Sequence, residues 1–255
     1  MLITHDILNK IMEEKSSGDC IIYLSGPSSL DTPLNLLHSK NCICVNGSAG
    51  HLIKNNIPVF IYVVCDGSFY ENNKNLFYKY STYAQYTFIS EDVLKRANLT
   101  EKENLLNTCF LLRDFCKSRG GIGRKIRYTI KSLANKNLLI NCSAFRKVKT
   151  IAFSTDVTYG HFGSATVAFS ALQIAISLKF ERIIFSGLDL KGNCKRFYCE
   201  ANTQPTTLPD DFDFILKTFS FINSHYRGKI FNLSLQTAIP YDVIPFLSME
   251  EAALF

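Results

Sequence analysis

The segment from Gly160 to Leu190 constrains the fold more than any other part of the chain. It opens with a glycine-marked loop, continues as a helical stretch that is apolar on nearly every side, and ends in the apolar run Ile183–Ser186. A helix that is apolar all round has to be buried, and a strand fed by such a helix is usually a central, parallel one. Since open α/β sheets bind ligands at the carboxyl ends of their strands, this segment predicts where the functional site lies.

Further apolar runs predict the rest of the sheet. Five runs are predicted core strands: Cys20–Leu24, Cys42–Val45, Val59–Val64, Thr150–Phe153 and Ile183–Ser186. A sixth run, Ile230–Leu233, is predicted to join the sheet late in the chain, and Thr87–Ile89 is a weaker candidate. The stretches between them, including Ser90–Arg96 and Glu101–Phe115, have helical length and spacing. This alternation predicts an α/β, Rossmann-like fold with a mostly parallel, doubly wound sheet, in one domain over residues 1–255.

The positive charge of the chain is concentrated in one segment. Lys117–Lys149 holds ten Lys or Arg and no Asp or Glu, whereas the rest of the chain holds 18 basic and 22 acidic residues. We interpret it as a basic helical insertion, 117–149, that suits an anionic partner such as phospholipid, phosphorylated glycolipid or nucleic acid. The alternative is a solvated helical face.

A second segment, Lys191–Asp213, is polar, contains two prolines and has no clear periodicity. A loop of this length inside a compact domain is usually functional. Because it directly follows Asp189, we predict a lid over residues 191–213.

Composition indicates a cytosolic protein. Nine cysteines are scattered, several of them in apolar runs where a thiol acts as a small hydrophobe, and no CxxC pair is present to indicate zinc. The start lacks the apolar core of a signal peptide, and no apolar run approaches the roughly 20 residues of a membrane span. We expect a reduced protein without a metal site.

Small and polar residues follow each of the first three predicted strands. Ser25-Gly26-Pro27-Ser28-Ser29 and Asn46-Gly47-Ser48 offer backbone N–H groups, hydroxyls and an amide to a phosphate or sugar, and Asp66 offers a carboxylate to a hydroxyl or a proton. Each turn on its own is also an ordinary loop. Three in succession favour a binding site.

The buried helix supplies further candidates. Gly163-Ser164-Ala165-Thr166 would place a helix N-terminus, which favours anions, at the same edge. Ser164 is alternatively the N-cap of that helix, Asp189 the cap of a turn, and His161 a structural histidine rather than a proton shuttle. Tyr198, Arg196 and Glu200 in the predicted lid have side chains suited to phosphate and acceptor.

At these residues the chain resembles known families. The Gly26-Pro27-Ser28 turn, Asn46-Gly47-Ser48, the Gly163-Ser164 helix start and the strand ending in Asp189 recur in that order in bacterial sialyltransferases that use CMP-sialic acid, and in archaeal-type pterin diphosphokinases. The chain is more similar, over nearly its whole length, to the WaaZ/RfaZ family of lipopolysaccharide core biosynthesis proteins. The similar runs are Leu24–Pro27, Val45–Ala49, Thr166–Phe169, Ser186–Leu190 and Arg196–Tyr198.

The resemblance implies a transferase that adds a Kdo (3-deoxy-manno-octulosonic acid) residue from CMP-Kdo to a lipid A–core oligosaccharide. Donor-site residues implied are Gly26, Pro27, Ser28, Ser29, Asn46, Gly47, Ser48, Gly163, Ser164, Ala165, Thr166, Asp189 and Tyr198. The sialyltransferases carry a catalytic His well after their counterpart of the strand ending in Asp189. The predicted lid of this chain has none, and its one later His, His225, lies beside a predicted helix end, so His161, Asp66 and Glu200 remain alternative bases.

This function implies no cofactor beyond the donor, no metal and no nucleic acid. It implies a place on the cytoplasmic face of the inner membrane, with Lys117–Lys149 on the anionic surface. Two alternatives stay open: an ATP-dependent, pterin diphosphokinase-like enzyme, and a non-catalytic nucleotide- or glycolipid-binding protein that assists core assembly.

Overall fold

The computed structural model describes residues 1–142, 148–191, 196–198 and 208–254. Strands of the described residues are β1 Asp19–Tyr23, β2 Asn41–Val45, β3 Val59–Val64, β4 Ala84–Ser90, β5 Phe110–Leu112, β6 Leu138–Asn141, β7 Ile151–Ser154, β8 Arg182–Ser186 and β9 Lys229–Asn232. Helices are α1 His5–Glu13, α2 Leu34–Ser39, α3 Ala49–Lys54, α4 Gly67–Asn72, α5 Lys74–Tyr83, α6 Glu91–Arg96, α7 Leu99–Thr108, α8 Ile122–Ala134, α9 Val167–Ser177, α10 Phe212–His225 and α11 Met249–Ala253.

Seven of these strands form one parallel sheet in the order β5-β4-β3-β2-β1-β8-β9. Apolar side chains cover both of its faces. One face packs against α1, α9 and α10, and the other against α2 to α5. The predicted α/β class and doubly wound, mostly parallel sheet are therefore confirmed.

Strand order places the site. From β1 the chain winds outward through β2, β3, β4 and β5, and it then returns to the other side of β1 as β8 and β9. The direction of winding reverses between β1 and β8. In an open α/β sheet the loops that leave the two strands at such a reversal separate and open a crevice at their carboxyl ends.

The central helix α9 is buried as predicted. Every residue from Ala168 to Ser177 is buried. Its one amide, Gln173, uses Oε1 to accept from the backbone N–H groups of Ser154 and Phe162 at 2.9 and 3.0 Å, and its Nε2 donates to the Phe162 and Phe169 carbonyls. A polar side chain is tolerated here because all its hydrogen bonds are made.

Two predicted elements are wrong. Glu101–Phe115 is not one helix: α7 ends at Thr108, and β5 pairs with β4 through Phe110 and Phe88. The apolar residues around Phe110 fit helical and strand periods equally, and only pairing with β4 selects the strand.

The predicted core strand at Thr150–Phe153 also lies elsewhere. It is β7, which pairs antiparallel with β6 in a separate two-stranded sheet. The basic segment 117–149 contains a strand, β6, besides its helix α8. Among its described residues, the helical assignment holds for Ile122–Ala134 and not for β6. No helix within the described ranges is long and apolar enough to cross a bilayer.

Candidate active site

A cleft of about 1290 Å³ lies at the carboxyl edge of the sheet, where the winding reverses. Its wall is built from the loops that follow β1, β2, β3, β8 and β9 and from the N-terminal end of α9. Nine of the predicted site residues line it: Gly26, Pro27, Ser28, Asn46, Asp66, Ser164, Ala165, Thr166 and Asp189. The structure therefore brings together residues that are up to 163 positions apart in the sequence.

The loops after β1 and β8 touch at the floor of the cleft. A Cβ on Gly26 would lie 2.3 Å from the Gly187 carbonyl oxygen and 2.6 Å from Asp189 Oδ2, distances that real Cβ atoms do not adopt. Gly187 itself has φ +80°, where side chains are disfavoured. Glycine is thus required at both positions to close the floor.

Asp189 holds these loops together. Its Oδ2 accepts the N–H of Ser28 at 3.0 Å, and its Oδ1 accepts the hydroxyls of Ser28 and of Ser234, the latter at 2.6 Å. The carboxylate lies in the cleft wall, yet its hydrogen bonds go to protein groups. Its geometry is that of a clamp between the β1, β8 and β9 loops.

Asn46 combines two unusual features in the cleft wall. It has φ +46° although it is not glycine, and its buried Oδ1 has no hydrogen-bond partner. A left-handed backbone and an unsatisfied buried oxygen each cost roughly 1–3 kcal/mol. Together with its place in the cleft, these features make Asn46 a candidate ligand contact.

The N-terminal end of α9 forms another part of the wall. The helix begins at Val167 and its N-cap is Thr166, whose Oγ1 accepts the Ala168 N–H at 3.3 Å. The alternative in which Ser164 caps the helix is therefore wrong. Ser164 instead lines the cleft with a buried Oγ that lacks a hydrogen-bond partner.

Charged side chains of both signs complete the lining. Lys191 and Arg196 face the cleft on the β8 side. Asp66 lies after β3, where its Oδ1 accepts the N–H of Ser68 at 2.9 Å and so caps α4. The cleft thus combines cations, a helix N-terminus and a carboxylate, which suits an anionic ligand and a proton transfer.

Several predicted site residues lie behind the wall. Ser29 donates to the Gly26 carbonyl at 2.5 Å, and Ser48 accepts the Val45 N–H at 3.1 Å while its hydroxyl lies 2.8 Å from the Tyr23 carbonyl oxygen. Both serines shape the loops after β1 and β2. Gly163 does not line the cleft either.

Tyr198 packs on Gly47, where a Cβ would lie 2.4 Å from its ring. Its hydroxyl is buried and outside the cleft lining. The predicted donation by Tyr198 to a phosphate is not supported by this geometry, because the ring is stacked into the wall. The neighbouring Phe197 N–H donates to the Ser25 carbonyl at 3.0 Å and fixes this part of the predicted lid beside β1.

His161 is also behind the wall. It is 1% exposed, its Nδ1 lies 3.2 Å from the Arg113 carbonyl, and its Nε2 lies 3.7 Å from Asp114 Oδ1. Burial lowers its pKa, against the opposing effect of Asp114. This arrangement fits the structural alternative. Glu200, the third predicted base, and residues 192–195 and 199–207 of the predicted lid lie outside the described residues.

Two cleft features were missed by sequence reasoning. Ser234 follows β9 and joins the Asp189 clamp, and the stretch from Leu235 to Glu250 supplies part of the far wall. The rule applied to the first three strands, that polar residues after a strand face the ligand edge, would have selected Ser234 as well.

A cleft at the reversal point of a doubly wound sheet is where open α/β proteins bind their ligands. The chain belongs to the family described as 3-deoxy-D-manno-octulosonic acid transferase WaaZ, whose model matches residues 2–250.

Two relatives are named probable 3-deoxy-manno-octulosonic acid transferases. That of Escherichia coli K12 is 42% identical over 247 residues, covering 96% of this chain and 87% of the relative. That of Salmonella typhimurium LT2 is 38% identical over 252 residues, covering 98% of this chain and 94% of the relative.

Among solved structures, the chain is similar to two sialyltransferases of Campylobacter jejuni. Cst-I has a TM-score of 0.49 and 14% identity, with 98% of this chain and 84% of Cst-I covered. CstII, solved with the substrate analogue CMP-3FNeuAc, has a TM-score of 0.49 and 12% identity, with 91% and 87% covered.

Proposed function

We propose that the protein transfers a Kdo residue from CMP-Kdo to the inner core of lipopolysaccharide. Membership of the Kdo transferase family supports the transferred sugar and the pathway. The observation that carries the site assignment is the pair of buried, unpartnered polar atoms in one cleft, Asn46 Oδ1 and Ser164 Oγ. A ligand rich in hydroxyls and anionic groups satisfies both.

The cleft offers a place for each charged part of such a donor. The N-terminal end of α9 at Thr166 attracts the sugar carboxylate or the cytidine monophosphate. Lys191 and Arg196 balance the charge of the phosphate as it leaves. Asn46 then hydrogen-bonds the ribose or the sugar.

In the proposed reaction an acceptor hydroxyl attacks C2 of Kdo, the bond from C2 to the phosphate oxygen breaks, and CMP leaves with that oxygen. A single displacement of this kind inverts C2, through a transition state with oxocarbenium character. Asp66 takes the hydroxyl proton, since of the predicted bases within the described residues it is the one whose carboxylate lines the cleft. No metal takes part, so excess chelator leaves the rate unchanged.

The acceptor, a lipid A–core oligosaccharide, is anchored in a bilayer. We therefore place the protein on the cytoplasmic face of the inner membrane, as a peripheral protein that meets donor and acceptor together. Nucleic acid has no part in this function.

Calorimetry with CMP, ATP and GTP tests the donor class. The proposal predicts that CMP binds best and that the Asn46→Ala variant binds it about tenfold more weakly. A preference for ATP would support the pterin diphosphokinase-like alternative instead. CMP binding without any turnover of CMP-Kdo, given a core acceptor, would support a non-catalytic assistant.

A further inference from the structure

Helix α8 has its apolar side turned toward solvent. Ile122, Ile126, Ile130 and Leu133 are 57%, 48%, 60% and 85% exposed. At about 3.6 residues per turn these four positions fall within roughly a quarter of the helix circumference, so they form one continuous stripe. We name these four residues the α8 stripe.

The face of α8 that packs on the protein is the more polar one. It buries Lys125, whose Nζ donates to the Val148 carbonyl at 3.2 Å, and Tyr128, whose hydroxyl accepts the Lys117 N–H at 3.1 Å. An amphipathic helix ordinarily turns its apolar face to the core. Here the apolar face is left for a partner outside the molecule.

The positive charge near the α8 stripe indicates what kind of partner binds it. The exposed cations Arg127, Lys131 and Arg124 lie on one side of the α8 stripe, beginning roughly 60° around the helix from its edge, and the segment 117–149 has no acidic residue. A second copy of the chain would bring two cationic faces together, which is unfavourable. A bilayer of anionic phospholipid satisfies both features, since the acyl region takes the apolar stripe and the headgroups take the cations.

We infer that α8 is an interfacial membrane helix that inserts the α8 stripe among the acyl chains of an anionic bilayer. The helix follows β5, whose carboxyl end lies at the same edge of the sheet as the cleft, so docking holds that edge near a lipid-anchored acceptor. The inference rests on the proposed function only for the identity of the acceptor.

Tryptophan fluorescence tests the insertion directly, because the chain contains no tryptophan. The Ile126→Trp variant of the full chain is mixed with vesicles of phosphatidylglycerol and phosphatidylcholine, without donor or acceptor. Its emission is expected to shift to shorter wavelength and to be quenched by brominated acyl chains. Leu99→Trp, at a position 85% exposed on α7, is the matched control and is expected to stay unchanged.

Vesicle sedimentation separates insertion from charge attraction. The paired variant Ile126→Ser with Ile130→Ser should partition into anionic vesicles about tenfold less well, whereas Leu99→Ser should partition as the parent does. Unchanged emission at position 126, or equal partitioning of the paired variant, would overturn the inference. Self-association that the paired variant abolishes would assign the α8 stripe to a second copy and overturn it as well.

Because these measurements contain no donor and no acceptor, they are independent of the transfer reaction. A protein that inserts but transfers no Kdo would contradict the proposed function alone. A protein that transfers to a detergent-dispersed acceptor but does not insert would contradict the membrane helix alone.

Discussion

The two ends of the central sheet differ in how their polar groups are satisfied. At the amino ends of β1 and β8, the buried Asp19 carboxylate is paired with Lys40 Nζ at 3.0 Å and Arg182 Nε at 2.7 Å. At the carboxyl ends, Asn46 Oδ1 and Ser164 Oγ are buried without partners. The Asp19 carboxylate has its partners within the protein, whereas Asn46 Oδ1 and Ser164 Oγ remain open to a ligand.

From this contrast we expect Asp19, at one edge of the sheet, to serve stability, and Asn46 and Ser164, at the opposite edge, to serve ligand binding. Substitutions at the amino end should lower the free energy of unfolding and leave ligand affinity intact. Substitutions of the unpartnered groups at the carboxyl end should do the reverse.

The largest expected effect is on stability, at Asp19. The Asp19→Ala variant leaves Lys40 buried without its anion, so urea denaturation should show a loss of about 3 kcal/mol in the free energy of unfolding. CMP affinity of the folded variant should match that of the parent. A large loss of CMP affinity with an unchanged free energy of unfolding would contradict this assignment of Asp19 to stability.

Gly26 tests the floor of the cleft. In Gly26→Ala the new Cβ would meet the Gly187 carbonyl at 2.3 Å, so the β1 and β8 loops have to separate. We expect transfer to fall about 100-fold, with a loss of about 2 kcal/mol in stability. Gly123→Ala is the control, since apart from its own helix backbone and chain neighbours no atom lies within 4 Å of its new Cβ. Equal effects of both variants on CMP binding would contradict this geometry.

Substitution of Asn46 tests the difference between the two ends, because the free energy of unfolding and the transfer rate should change in opposite directions. Asn46→Gly removes the unpartnered oxygen and relieves the φ of +46°, so the free energy of unfolding should rise by about 1 kcal/mol. Transfer should fall about tenfold. A variant that is both less stable and fully active would show that Asn46 serves the fold.

The smallest expected effect is the pH dependence from His161. Burial lowers its pKa below the usual 6.5, so the folded protein keeps it neutral. Its contribution to stability is present above about pH 6.5 and is lost as the pH falls through that value toward the folded pKa. Denaturation of His161→Gln at several pH values should show that this part of the acid destabilisation is gone.

The same variant separates the candidate bases. His161→Gln should keep most of the transfer rate, because the proposed base is Asp66, which lines the cleft. A folded His161→Gln protein that binds CMP normally but has lost transfer would restore His161 as the base.

Sequence reasoning predicted the central sheet well for a physical reason. β1, β2, β3 and β8 are buried on both faces, so each is a continuous apolar run that no surface helix would share. β5 and the β6–β7 pair were missed or misplaced because their identity depends on distant pairing. Local pattern does not contain that information.

The sequence predicted where the site residues lie better than it predicted what each of them does. The rule that polar residues after parallel strands share one edge correctly placed Gly26, Asn46 and Asp66 in the cleft. It could not separate residues in the wall from residues behind it, such as His161 and Tyr198. It also gave no sign of the left-handed backbone at Asn46 or of the solvent-facing stripe on α8, since both depend on tertiary packing.

Transfer by the purified protein tests the central claim most directly. CMP-Kdo and a lipid A–core acceptor are incubated with the parent chain and, separately, with Asn46→Ala. The mass of the acceptor is then measured by mass spectrometry. The account predicts that the parent adds the mass of one Kdo residue and that Asn46→Ala adds it about tenfold more slowly. An acceptor mass that the parent leaves unchanged, or equal rates for the two chains, would contradict it.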